Sequence, residues 1–170
     1  MIDLTLRRVR LALKSILGRK LDGLEVLQMD HLRVELLFTQ IKATKNKKRR
    51  ETLYRSVRAR LETHMSAEES VFYPRFESDE SLKVIVLESY EEHRQVKTLL
   101  RELGDLSTVT AKFEARLNLL IENVRHHVRE EENKFFPRVR RKLDSAELHD
   151  LGTELRRELK PMKRESATAA

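Results

Sequence analysis

The chain has 170 residues, 37% of them charged, with only 4 Gly and 3 Pro. That length suits one domain with a sizeable core, and the composition favours long helices over sheet. Zero Cys excludes a disulfide framework, a thiolate zinc site, a cysteine-ligated iron–sulfur cluster and a cysteine nucleophile. The net charge of +7 admits nucleic acid or an anionic surface as a partner.

Residues 2–17 carry Ile2, Leu6, Val9, Leu13 and Ile16 on one helical face, with basic residues opposite. The expected cover for that face is the body of the protein, a homodimer contact or a membrane surface. Basic residues spread through residues 1–20 break any continuous apolar stretch of the kind a secretory signal needs. No uncharged run approaches the ~18 apolar residues of a membrane span. The expected location is cytoplasmic.

From residue 22 the apolar spacing steps by 3 or 4 almost without interruption. Leu24, Leu27, His31, Val34, Phe38 and Ile41 mark a first helix, with Asp22 as its N-cap. Lys42, Lys45, Lys47, Lys48, Arg49 and Arg50 then form the densest basic cluster, read as a solvated inter-helix loop. Tyr54, Val57, Leu61, His64, Glu68 and Phe72 mark a second helix that Pro74 should end or kink. Val86, Ser89, His93, Val96, Leu100 and Leu103 mark a third, closed by Gly104. Phe113, Leu117, Leu120, Val124, His127, Glu131 and Phe135 mark a fourth, with Ser107 or Thr108 as its cap and Pro137 near its end. Leu148, Leu151, Leu155 and Leu159 mark a last helix over 145–159, and the tail 165–170 is expected to be disordered.

The first and third stripes align at an offset of 62 residues, and the second and fourth at 63. Phe-Tyr-Pro at 72–74 matches Phe-Phe-Pro at 135–137. This is a duplicated αα-hairpin, and two such hairpins make an all-α, up-down four-helix bundle. The expected organisation is an N-terminal amphipathic helix over 1–20, the bundle over 21–143, and a C-terminal helix with its tail over 144–170.

The repeat carries chemistry. His31, His64 and Glu68 in the first hairpin correspond to His93, His127 and Glu131 in the second. All six sit on core stripes, and His64/Glu68 and His127/Glu131 share a face at i, i+4. An unpaired carboxylate in a bundle core costs several kcal/mol of lost hydration. Two of them need a strong reason to be there, and cations supply it. Nitrogen and carboxylate oxygen suit iron, manganese, zinc or cobalt. Glu69 and Glu132 are equivalent in the repeat and lie beside the site or on the surface. Asp30 and Glu92 precede histidines and could orient an imidazole N–H, but sequence-adjacent geometry favours a helix-surface role. His126 and His149 read as exposed, and Tyr54 and Tyr90 as core.

Asp-His at 30–31, His-Met-Ser-Ala-Glu-Glu at 64–69 running to Tyr-Pro, Glu-His at 92–93, and His-Val-Arg-Glu-Glu-Glu at 127–132 running to Phe-Pro together resemble the hemerythrin-like, HHE cation-binding family over residues 22–142. Within it the chain most resembles the di-iron domain of repair-of-iron-centres proteins. That resemblance implies two non-haem irons bridged by an oxo or hydroxo group, with His31, His64, His93 and His127 as ligands and Glu68 and Glu131 as bridges. Zinc or manganese are alternative occupants. Oxygen-carrying hemerythrins have a further histidine where this chain has Lys97, which argues against simple O2 carriage. The functions left open are chemistry on O2, nitric oxide or peroxide, iron handling in oxidative or nitrosative stress, a non-catalytic metal- or gas-responsive module, and a structural bundle.

Overall fold

The computed structural model describes residues 20–160 together with Val9, Leu11, Leu13, Lys14, Leu17 and Gly18. The predicted tail 165–170 lies outside the described residues, as does most of the predicted helix over 2–17. Of the predicted apolar face, Val9 and Leu13 are half exposed, whereas Leu11, which lies off that face, is buried.

Four long helices run in two hairpins: α1 (Gly23–Ala43) with α2 (Lys47–Ala67), and α3 (Lys83–Gly104) with α4 (Ala111–Glu130). Asp22 caps α1 in a full capping box with Glu25, as its sequence position predicts. Asn46 caps α2 through the Arg49 N–H. Thr110 caps α4, not Ser107 or Thr108, because its hydroxyl reaches the Phe113 N–H three residues on. Gly104 is the last residue inside α3 rather than its stop.

Both second helices depart from α geometry at the same repeat position. α2 passes into a π-helical turn over Glu68–Phe72 and a 3-10 turn over Tyr73–Arg75. α4 passes into a π-helical turn over Glu131–Phe135, then into α5 (Phe136–Lys142). Pro74 and Pro137 follow these turns. Proline lacks an N–H and crowds the preceding turn, and a widened turn absorbs that conflict. Pro137 therefore sits at the start of α5 and does not close the fourth helix.

A last helix, α6 (Ser145–Glu158), is capped by Asp144 and buries Leu148, Leu151 and Leu155 together with Leu159 just past its end, the stripe the sequence marks. It closes tightly on the start of α1. A Cβ on Gly152 would stand 2.9 Å from the Leu21 carbonyl oxygen, so only glycine permits this approach. The apolar core forms two clusters. One joins the proline-containing turns to α5, α6 and the start of α1. The other fills the half nearest the hairpin loops.

The basic cluster divides by role. Arg50 is buried, donating to the carbonyls of Ile41, Thr44 and Thr108 and pairing with Glu114 at 2.6 Å. Lys42 also pairs with Glu114. These two residues fasten one hairpin to the other. Lys45, Lys47, Lys48 and Arg49 are exposed, as a solvated cluster should be, but Lys47, Lys48 and Arg49 form the first turn of α2 and only Lys45 lies in the connecting loop.

Candidate metal centre

Six polar residues stand buried among apolar neighbours: His31 on α1, His64 on α2, His93 on α3, His127 on α4, and Glu68 and Glu131 at the first residues of the two π turns. All six predicted ligands are brought together. Their inward atoms nearly touch. His31 Nε2 lies 3.2 Å from Glu131 Oε2, and His64 Nε2 lies 3.1 Å from Glu68 Oε2. His93 Nε2 lies 3.3 Å from Glu68 Oε2 and 3.1 Å from His127 Nε2. His127 Nε2 lies 3.7 Å from Glu131 Oε2. Donor atoms of His31, His64, Glu68 and Glu131 all fall within 4.8 Å of one another, and so do those of Glu68, His93 and His127.

Each imidazole is aimed by a carboxylate on its far nitrogen. Asp30 holds His64 Nδ1 at 3.1 Å, Glu69 holds His93 at 2.9 Å, Glu92 holds His127 at 2.7 Å and Glu132 holds His31 at 2.8 Å. Each carboxylate neighbours a candidate ligand in sequence and serves a different helix, so the four contacts close a ring around the bundle. This corrects the helix-surface role expected for Asp30 and Glu92. Asp30 is fully buried, and its other oxygen takes Arg60 at 2.7 Å. Lys97 contacts both oxygens of Glu69 at 2.7 Å. A carboxylate only accepts hydrogen bonds, so Nδ1 carries the proton and the inward Nε2 of a neutral ring offers its lone pair.

Charge among the side chains of the centre is mutually compensated. Burial opposes a charge on His64, yet the carboxylates of Glu68 and Asp30 outweigh it and hold the imidazole well above its ordinary value. Burial likewise opposes a charge on His127, and Glu131, Glu68 and Glu92 together raise it to about 10. His31 is raised by Glu131 and Glu132 against the same burial. Burial pushes the Glu68 carboxyl up, but His64, His127 and His93 hold it well below the usual range.

The residues fit a cation. His31 Nε2, His64 Nε2, Glu68 Oε1 and Glu131 Oε2 are buried with no hydrogen-bond partner, which is costly unless something else satisfies them. Imidazole nitrogen and carboxylate oxygen are the donor set of first-row transition ions.

One group at the centre was not singled out from the sequence. Tyr73 is fully buried, and its hydroxyl donates to Glu131 Oε1 at 3.0 Å. On α-helical periodicity Tyr73 falls about 140° round from Glu68. The π turn brings it onto the ligand face. His126 and His149 are exposed and Tyr54 is buried, as expected, whereas Tyr90 is only partly buried.

A cleft of about 220 Å³ opens between α1 and α4 beside His31, with Gln28, Glu35, Arg125 and Glu132 on its walls. His31, Val34, Val124 and Val128 line this cleft and also a void of about 10 Å³ between the four imidazoles.

The sequence profile of the hemerythrin HHE cation-binding domain matches residues 22–139. The chain belongs to this family. The HHE domain superposes on the crystal structure of a hemerythrin HHE cation-binding domain-containing protein from Mycobacterium kansasii with a TM-score of 0.71 at 26% identity, over 82% of this chain and 85% of that one. It is also 30% identical over 132 residues to a protein of Nostoc sp. named a DNA nickase, covering 78% of this chain. The chain spans only 37% of that relative's length.

Proposed function

We propose that this HHE domain is a non-haem di-iron protein acting on a small oxidant (O2, nitric oxide or peroxide) or handling iron in stress defence. His31 and His64 would hold one ion and His93 and His127 the other, with Glu68 and Glu131 as the carboxylates available to both. The observation that carries the reading is the closed ring of four carboxylate-aimed imidazoles around two wholly buried glutamates. Bound iron supplies redox and Lewis-acid chemistry there. The protein's part is to fix the Nε2 lone pairs, shield the centre behind Phe72, Phe135 and Phe136, and admit a small molecule along the α1–α4 cleft.

Metal content per chain, measured by mass spectrometry after anaerobic loading, tests this. The expected result is about two irons, as in a di-iron carboxylate bundle, falling sharply in Glu68→Ala and Glu131→Ala. Zinc or manganese retained in place of iron changes the metal, and no retained metal overturns the reading.

A second reading is a metal- or gas-responsive module without catalysis. Its support is the exposed Lys45, Lys47, Lys48 and Arg49 at the α1–α2 end, together with the printed name of the Nostoc relative. Binding to duplex DNA that weakens steeply with salt would favour it.

A further inference from the structure

The two halves of the centre differ in their donor sets. Around His31 and His64, four side chains converge. Around His93 and His127, Glu68 converges on both rings, and Glu131 reaches in to His127 alone, at 3.7 Å. The hydroxyl oxygen of Tyr73 occupies the remaining place, 3.3 Å from His93 Nε2, 3.3 Å from Glu68 Oε2 and 3.0 Å from Glu131 Oε1. Two donors at right angles, each about 2.1 Å from one ion, are about 3 Å apart. The Tyr73 oxygen meets that spacing toward three atoms of the candidate ligand set at once.

We propose that Tyr73 is an oxygen ligand to the ion held by His93 and His127. The two metal positions are then inequivalent. The proposal rests on the di-metal reading above. On metal binding the phenolic O–H gives its proton to solvent and an oxygen–metal bond forms, with no electron transferred.

Packing alone does not require this hydroxyl. The repeat counterpart of Tyr73 is Phe136, which stacks on His31 with ring centroids 6.0 Å apart and planes at 7°. A phenylalanine thus serves the apolar role in the other half, and the extra oxygen is present on one side only. Exchangeable positions fall to the His31–His64 side, where the α1–α4 cleft reaches the centre.

The test is absorption and resonance Raman spectroscopy of the ferric, iron-loaded protein, with iron counted on the same samples. The expected result is a visible tyrosinate-to-iron charge-transfer band with tyrosinate ring modes in the wild type. Both are lost, per iron bound, in Tyr73→Phe, whose helical circular dichroism is unchanged. Two irons bound without the band, or a band unchanged in Tyr73→Phe, overturns the proposal and leaves the di-iron reading standing. No iron bound by the wild type overturns both.

Discussion

Asp30 and Glu92 show where residue-level reasoning succeeds and where it fails. The six candidate ligands were legible because each sits on an apolar stripe, at equivalent places in two repeats. The aiming roles of Asp30 and Glu92 were not, because a residue beside a histidine cannot reach that histidine's far nitrogen along one helix. They act across helices, and only packing reveals which helix faces which. Glu92 and Glu132 hold His127 and His31 directly, so their loss should loosen the metal without removing a ligand. Glu92→Gln and Glu132→Gln are expected to lower metal affinity by about 10–100-fold while stoichiometry at saturating metal is kept. Competition against a chelator of known affinity reads this out, and unchanged affinity in both variants would contradict the aiming role. Asp30→Asn should also weaken the fold, because the Arg60 guanidinium then loses its buried counter-charge.

At the scale of elements, the helices and their register followed from period and duplication. The two π turns did not, since the local sequence still reads as a continuous stripe from His64 through Phe72. A proline tells that something must change, not that the helix widens before it. That widening makes Tyr73 part of the centre. Widened turns tend to mark functional sites, and here each begins at a candidate bridging glutamate. The α1–α4 pair has its own consequence. Val128 lines both the cleft and the inner void, with Val124 beside it. Val128→Trp should fill this passage and slow association of nitric oxide with the iron-loaded protein by about tenfold, equivalent to ~1.4 kcal/mol on the entry barrier. Iron content should not change. Stopped-flow mixing measures the rate, and an undiminished rate places the entry elsewhere.

For the whole molecule, the centre links metal, protons and stability. In the metal-free protein, the His31, His64 and His127 imidazoles titrate above their ordinary value, His127 at about 10 against 6.5. A raised value means the folded state binds protons more tightly than the unfolded chain. The resulting stabilisation is complete below the unfolded value and fades as pH rises through the folded one. Glu68 works in the opposite sense. Its depressed carboxyl contributes above the ordinary value of 4.5, and that contribution is lost as pH falls through its folded value. The metal-free protein should therefore be most stable in mildly acidic solution and weaken toward about pH 10. Metal reverses the alkaline trend, because it binds the deprotonated imidazoles and displaces those protons. Each increment of affinity gained with pH adds to the stability of the loaded state through mass action. The difference in Tm between loaded and metal-free protein, at fixed free metal, should widen from about pH 6 to about pH 9. Thermal melts followed by circular dichroism across that range test the linkage. A constant difference would mean that the imidazoles are already neutral across this range without metal, against their raised values.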